Sequence, residues 1–177
     1  MRSLSVLSLL AVLLVAGCAT GVPEAIRQAP PGAVSVTDVQ RGAPRFIGQS
    51  VRWGGTILAV RNREKATEIE LLARALTAEG KPNAASAGEG RFLAEIAGFL
   101  DPAEYPEGRL LTITGRLVRT ETRPVGDYRY TYPVVATQSR YLWPEQPQRL
   151  DVPYYAYPYP WQDPWYFPTY RPWHYPW

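Results

Sequence analysis

The amino-acid sequence predicts a mainly β protein, a small five-stranded OB-fold-like Greek-key barrel followed by an extended Pro- and aromatic-rich C-terminal tail. Between Phe46 and Trp143, apolar and polar residues alternate in five segments, which is the pattern of half-buried strands. Stretches with Gly, Asn and Pro separate these segments, as turns do. About 98 residues carry this pattern, which is enough for one small domain with its own core.

The first strand is predicted in the segment QSVRWGGTILAV. Val51, Trp53, Ile57 and Ala59 face one side on a two-residue period if Gly54-Gly55 forms a bulge or a sharp bend. A glycine pair inside a strand commonly marks such a feature. A strongly curved first strand is what a small closed barrel requires.

The second strand is predicted in ATEIELLAR, with Ile69 and Leu71 facing the core and Glu68 and Glu70 facing outward. A stretch rich in Gly, Asn and Ser, residues 80–90, separates it from the next segment. GRFLAEIAGFL and GRLLTITGRLV are the third and fourth predicted strands.

The fifth strand is predicted in DYRYTYPVVATQSRYLW. It contains Pro133, which belongs on a sheet edge or at a strand start because proline donates no ladder hydrogen bond. A short helical or turn element is predicted from Asp101 to Tyr105, with Asp101 before Pro102 as its cap.

The first residues have the layout of a secretory signal peptide. Arg2 supplies a positive charge, Leu4 to Val15 is almost purely apolar, and the small residues Ala16 and Gly17 follow. The apolar run is shorter than the roughly 20 residues that a membrane-spanning helix needs. We therefore expect residues 1–17 to be removed.

In Val15-Ala16-Gly17-Cys18, small residues immediately precede the single cysteine of the chain. This arrangement resembles the lipobox of bacterial lipoproteins. The resemblance implies that the Cys18 thiol is acylated and that cleavage occurs before it. Because Ala19 rather than Asp follows, it also implies the outer membrane, on the periplasmic face. The alternative is that Cys18 is only a small hydrophobic residue of a signal sequence.

Residues 18–45 are predicted to be a lipidated N-terminus and a flexible tether, since prolines and glycines interrupt any period. Within it, residues 34–39 form either a short strand or a local ordering against the domain. The barrel domain is predicted over residues 46–147 and the tail over residues 148–177.

Composition excludes several classes of function. Of 19 Lys and Arg residues, Arg2 leaves with the signal peptide, so 18 basic residues face 16 acidic ones in a nearly neutral chain. The arginines are dispersed among glutamates, and we expect no nucleic-acid partner. With Cys18 acylated, no thiol remains for a disulfide, thiol catalysis or a cysteine metal site.

Residues 151–177 contain seven Tyr, four Trp, one Phe and seven Pro. Prolines at this density favour an extended, polyproline-II-like chain. Tyr and Trp dominate binding hot spots, so the tail is a candidate contact for an envelope protein or glycan. A disordered spacer of biased composition is the alternative. The candidate binding residues are Trp53, Trp161, Trp165, Tyr166, Trp173 and Trp177.

The segments FIGQSVRWGGTILAVRN, GRFLAEIAGFLDPAEYPEGRLLTITGRLV and YTYPVVATQSRYLWPE together resemble the Slp family of starvation-inducible outer-membrane lipoproteins. The resemblance runs from Cys18 to about Pro144 and does not account for the tail. It implies an outer-membrane lipoprotein with a barrel domain in the periplasm, and it implies no activity.

No catalytic or metal site is predicted, and no cofactor is expected. Glu68, Glu70, Glu95 and Asp101 are the acids that a glycosidase would use, since sugar hydrolysis needs two carboxylates about 5–9.5 Å apart. Outward-facing charges are also ordinary on a half-buried strand, which is the reading we favour. His174 stands without a cysteine or a carboxylate pair nearby in the sequence, so we expect neither a metal site nor a catalytic triad.

Trp53 is interpreted as a core or rim aromatic, with ligand stacking as the alternative, and Arg52, Arg61 and Arg63 as solvated strand positions. The function that we predict is a non-enzymatic envelope interaction or stress-related module, anchored to the outer membrane by lipid. The alternatives are a carbohydrate-active enzyme or glycan-binding protein of the envelope, and a purely structural envelope spacer.

Overall fold

The computed structural model describes residues 21–145, and the fold is given for that part of the chain. It contains helices α1 (Glu24–Arg27) and α2 (Val36–Gly42), a 3-10 helix (Ala43–Phe46) and strands β1 (Ser50–Asn62), β2 (Ala66–Ala73), β3 (Arg91–Ala97), β4 (Leu110–Val125) and β5 (Tyr128–Leu142). No helix in this part is long and apolar enough to span a bilayer.

The five strands close into a barrel in the order β1-β2-β3-β5-β4. All neighbouring strands are antiparallel except β3 and β5, which pair in parallel from Leu93↔Val134 to Glu95↔Ala136. The predicted mainly β class with five strands is confirmed, whereas the OB-fold-like label stays a prediction.

The barrel encloses one apolar core, to which every strand contributes. The alternation seen in the sequence places Ile69 and Leu71 inside, with Leu71 opposite Phe92 of β3, and all three are fully buried. The other buried barrel residues of this cluster are Val51, Trp53, Ile57, Ala73, Ala94, Ile96, Leu111, Ile113, Leu117 and Val135.

The bulge in β1 does not lie at Gly54-Gly55, so that part of the prediction is wrong. β1 pairs with β4 without a break from Ser50 to Thr56, and its register on β2 shifts between Ile57 and Ala59. Neither glycine has a positive φ. Glycine is needed at position 55 because a Cβ there would overlap the carbonyl group of Leu72 on the neighbouring strand.

The flexible tether predicted over residues 18–45 is wrong for the described residues 21–45, which fold against the barrel. Ile26 of α1 and Val39 of α2 are fully buried, and Val36 is nearly so. A capping box starts α2, in which the amide of Asp38 donates to Ser35 Oγ at 3.1 Å and the amide of Ser35 donates to the Asp38 carboxylate at 3.3 Å. Local ordering against the domain, one of the two alternatives for residues 34–39, is therefore what occurs.

β4 and β5 extend beyond the barrel as a two-stranded hairpin arm, residues 118–132. The last pair between β1 and β4 joins Ser50 to Arg116, so the distal part of β4 has only β5 beside it. The predicted fourth strand ended at Val118, seven residues before the observed end at Val125. Pro133 lies opposite Thr120 and directly before the first residue of β5 that pairs with β3, so it removes no bond to β3.

The turn predicted at Asp101 is confirmed. The amide of Ala103 donates to Asp101 Oδ1 at 2.9 Å, and the amide of Glu104 donates to the carbonyl of Asp101 at 3.0 Å. Asp101 therefore caps a turn between β3 and β4, as an Asx side chain commonly does.

We predict that Gly55→Ala destabilises the protein by about 1–3 kcal/mol, because the added Cβ would overlap the backbone of β2 rather than a movable side chain. Urea unfolding of the purified lipoprotein in detergent measures this change. Gly21→Ala is the matched control, since nothing lies within 4 Å of its added Cβ. Equal unfolding free energies for the two variants would show that β1 and β2 are not this close.

Candidate functional site

Two regions of the described chain bring together the residues singled out from the sequence. The first is the N-terminal cleft, which lies between residues 33–36 and the barrel around Trp53. The second is the carboxylate cluster, which lies on the outer side of β2 and contains Glu68 and Glu70. Asp101 lies apart in its turn. The residues predicted for cleavage and lipidation, Val15, Ala16, Gly17 and Cys18, lie outside the described residues, as do His174 and the aromatic residues Trp161, Trp165, Tyr166, Trp173 and Trp177.

Trp53 occupies the core position that the sequence favoured. Its side chain is 6% exposed and its ring packs edge-on against Phe92, with centroids 5.3 Å apart. The indole Nε1 donates a 2.7 Å hydrogen bond to the carbonyl of Val34. Little of the ring is left for stacking on a ligand, and its polar edge is used to hold the N-terminal segment on the barrel.

Arg52 is not a simply solvated residue, contrary to the prediction. Its Nη1 donates to the carbonyl oxygens of Ile26 at 3.1 Å and Arg27 at 2.6 Å, at the end of α1. These carbonyls belong to the last turn of a helix, where backbone acceptors lack partners within the helix. Arg52 thus supplies a second attachment of the N-terminal segment to β1.

The N-terminal cleft has a volume of about 270 Å³. Val34 and Ser35 line one side, and Trp53 and Ala73 line the barrel side. Three charged side chains also line it, namely Arg52, Arg74 and Glu89.

Glu68 is buried beneath the hairpin arm instead of facing solvent. It is 4% exposed and receives two hydrogen bonds from Arg123, Nη1 to Oε1 at 2.6 Å and Nη2 to Oε2 at 2.5 Å. Arg63 and Arg61 approach the same carboxylate at 3.6 and 3.7 Å. The hydrogen bonds from Arg123 lower the pKa of Glu68, against the effect of its burial, and the same contact raises the pKa of Arg123.

Glu70, two residues further along β2, is held in a similar way. Its Oε1 accepts from the hydroxyl of Tyr132 and from Arg91 Nη1, both at 2.9 Å, and its Oε2 accepts from Arg61 Nη1 at 3.2 Å. Burial opposes ionisation of Glu70, but the hydrogen bonds from Tyr132, Arg91 and Arg61 outweigh it and lower its pKa. The pKa of Tyr132 is raised by its own burial and by the neighbouring carboxylate.

The hairpin arm makes three further ion pairs, one to β3 and two within the arm, including Arg119 with Glu121 at 3.8 Å. Arg119 pairs with Glu95 of β3, and Arg123 Nε donates to Glu121 at 2.8 Å within the arm. Tyr132 and Val134 of β5 also pack on Leu93 of β3 in a small second apolar cluster. The arm is therefore fixed to the barrel by ion pairs and apolar contacts together.

This geometry favours charge pairing over acid–base catalysis. A general acid in a glycosidase needs a raised pKa, and the pKa values of Glu68 and Glu70 are both lowered. Each carboxylate is also occupied by arginine side chains. Within residues 21–145, no group of three or more His, Cys, Asp or Glu side chains could hold a metal ion.

The partners of these carboxylates were not predicted from the sequence. Arg61 and Arg63 were predicted to be solvated strand positions, and no prediction covered Arg91, Arg123 or Tyr132. Arg123 is 55 residues from Glu68 in the sequence, so no local pattern joins them. The available signal was the polar segment TETR after Val118, in which Glu121 and Arg123 fall on one face of a strand.

Comparison with known proteins defines the class of the chain. The sequence profile of the outer membrane lipoprotein Slp family matches residues 15–173, and the match includes Cys18 and the three residues before it. The chain belongs to this family. It is a lipid-anchored protein of the outer membrane.

The relatives carry corresponding names. The chain is 29% identical to the lipoprotein YeaY of Escherichia coli over 132 residues, which cover 74% of this chain and 67% of YeaY. It is 28% identical to the outer membrane protein Slp of the same organism over 132 residues, 73% of this chain and 69% of that protein. A Haemophilus influenzae protein is 32% identical over 96 residues, 54% of this chain and 52% of its own length. No solved structure matches.

We predict that the carboxylate cluster makes stability fall in acid. The pKa values of Glu68, Glu70 and Glu121 are lower in the folded chain than their ordinary value of 4.5. Their contribution to the free energy of unfolding is therefore complete above about pH 4.5 and is lost as the pH falls through the lowered values. Urea unfolding between about pH 6 and pH 3 measures this loss.

Glu68→Gln tests the assignment to this cluster. The variant should be about 1–3 kcal/mol less stable at pH 7, because Arg123 loses its charged acceptor, and its stability should fall less steeply in acid. Glu107→Gln, at an exposed loop position, should behave like the unaltered protein. A pH profile that Glu68→Gln leaves unchanged would contradict the role assigned to Glu68.

Proposed function

We propose that the chain is a non-enzymatic envelope-interaction lipoprotein, with Cys18 as its lipid anchor, its barrel facing the periplasm and its aromatic tail as the contact with a partner. The observation that carries this proposal is the Val15-Ala16-Gly17-Cys18 motif, which falls inside the family match. An outer-membrane lipoprotein whose anchor precedes a folded domain presents that domain to the aqueous side of the membrane.

The position of the anchor limits how far the barrel stands from the lipid. Only residues 19–23 lie between Cys18 and the start of α1, and α1 is packed against the barrel. The six Cα-to-Cα steps from Cys18 to Glu24 reach at most about 20 Å in an extended chain. The folded domain is therefore held close to the bilayer, and not at the end of the long tether that the sequence suggested.

The state of the carboxylates supports the non-enzymatic part of the proposal. The acids that a glycosidase would use, Glu68 and Glu70, are buried, ionised and held by arginines. A buried carboxylate in this state gives up its partners only at a cost in stability. The cluster therefore serves to fix the hairpin arm, and the interaction is assigned to the tail.

We predict that the mature protein begins with acylated Cys18. In Cys18→Ser the thioether cannot form, so unprocessed precursor or misplaced protein should accumulate. Intact-mass analysis of the mature N-terminus decides the question, with Thr20→Ser as the control that leaves the four-residue motif unchanged. An unmodified N-terminus at another residue in the unaltered protein would contradict the proposal.

We predict that truncation after Pro147 leaves the barrel stable and weakens its association with the envelope. The regular strands end at Leu142, so the free energy of unfolding should change by less than about 0.5 kcal/mol. Association should weaken by orders of magnitude, since exposed Trp and Tyr anchors at an interface each contribute about 1–2 kcal/mol or more. Two properties of the truncated protein are measured. One is its retention in the envelope fraction after mild detergent, and the other is its thermal unfolding.

A full-length variant separates the aromatic side chains from the length of the tail. Replacing Trp161, Trp165, Trp173 and Trp177 by alanine should weaken association as truncation does, whereas Gln162→Ala with Thr169→Ala should not. If the four tryptophan changes leave retention unaffected, the tail acts only as a spacer. A large loss of barrel stability on truncation would show that the tail is part of the core.

A further inference from the structure

The N-terminal cleft holds charges of opposite sign that do not neutralise one another. Arg52, Arg74 and Glu89 all line it, yet within the described chain no ion pair joins either arginine to a carboxylate. This contrasts with the carboxylate cluster, where each buried glutamate is paired with arginines. Two arginines and one glutamate thus line the same small cavity without an ion pair to either arginine.

Contacts with backbone carbonyls hold the side chains of Arg52 and Arg74 and the main chain of Glu89. Arg52 donates to two carbonyls at the end of α1, and Arg74 Nη1 donates to the carbonyl of Ser86. Carbonyl acceptors orient a guanidinium group without cancelling its charge. The backbone of Glu89 is fixed opposite Ala73, whose carbonyl accepts from the Glu89 amide at 2.9 Å.

Arg74 carries a further sign of incomplete pairing. Its Nε is buried and has no hydrogen-bond partner within residues 21–145. An unsatisfied donor is unfavourable, so Arg74 keeps hydrogen-bonding capacity that its contacts within the described chain do not use.

Size and wall chemistry restrict what the cleft accepts. Its volume of about 270 Å³ lies just below the range of about 300–1,000 Å³ typical of drug-sized ligands. Apolar walls from Val34, Trp53 and Leu76 leave room for a short aliphatic group between the charges. A multiply charged anion is disfavoured because Glu89 lines the same space.

We propose that the N-terminal cleft binds a small zwitterion of amino-acid or dipeptide size. Its carboxylate lies toward Arg52 and Arg74, its ammonium group toward Glu89, and its aliphatic part against Val34 and Leu76. The residues that line this site all belong to residues 21–145, and the proposal does not depend on the function proposed for the tail.

The test uses the full lipidated protein in detergent micelles and saturation-transfer NMR with L-alanyl-L-alanine as the probe. Two capped probes isolate the charges: N-acetyl-L-alanyl-L-alanine lacks the ammonium group, and L-alanyl-L-alaninamide lacks the carboxylate. Each capped probe should bind at least about tenfold more weakly than the free dipeptide, because each loses one charged contact.

Variants place the binding in the cleft. Glu89→Gln should bring the affinity for the free dipeptide down to that for the acetylated probe, and Arg74→Gln should weaken both about tenfold or more. Glu104→Gln and Arg129→Gln, at exposed positions away from the cleft, should bind as the unaltered protein does. Thermal unfolding of each variant confirms that it is folded.

Several results would overturn the proposal. They are the absence of saturation transfer from the folded protein, equal affinity for the free and acetylated dipeptides, and unchanged binding in Glu89→Gln. Because Glu89 is exposed and makes no ion pair within the described residues, its variant keeps the test decisive even if Arg74→Gln unfolds.

Discussion

The contact made by Trp53 joins the two parts of the folded chain. Its ring fills the barrel core against Phe92, and its indole N–H donates to the carbonyl of Val34 in the N-terminal segment. A tryptophan buries a large apolar surface but still needs a partner for its N–H. The barrel therefore gains its core aromatic and the N-terminal segment gains a fixed point from the same residue. This contact fixes Val34 and one wall of the cleft, while Arg52 and the buried Ile26 hold α1.

On the outer surface of the barrel, ion pairs as well as apolar contacts hold the hairpin arm in place. Glu68 and Glu70 project from β2 away from the core, and the hairpin arm covers them with Arg123 and Tyr132. A buried ion pair contributes little net stability, but removal of one partner leaves an uncompensated charge. The pairing therefore fixes where the arm lies on β2 and β3, which a purely apolar contact would define less sharply.

The barrel strands could be predicted from the sequence because their signal is local. Alternation places Ile69 and Leu71 in the core from their neighbours alone, and Asp101 before Pro102 indicates a turn without reference to the rest of the chain. The lipobox resemblance of Cys18 is readable for the same reason, since peptidase recognition and acylation need only adjacent residues.

The features that the sequence did not predict depend on distant contacts. Residues 21–45 have too few apolar residues to show a helical or strand period. Ser35 and Asp38, however, have the spacing of a capping box in a variant form. Ile26 and Val39 are buried only because the barrel offers them a surface. A glycine inside a strand is compatible with a bulge, a bend or a close approach of the neighbouring strand. The sequence alone therefore could not show that Gly55 is needed for the close approach to β2.

The central claim is that the N-terminal segment is a fixed part of the folded domain, held by Trp53. The most direct measurement is the hydrogen-exchange rate of the Trp53 indole N–H in the full lipidated protein, assigned with Trp53→Phe. The indole of Trp143, which donates to the buried Thr112 of β4 at 2.9 Å, is the internal reference. The account predicts that both indoles exchange at least about a hundredfold more slowly than an exposed tryptophan, since opening either site costs several kcal/mol. Exchange of the Trp53 indole at the exposed rate, with the Trp143 indole still protected, would contradict it.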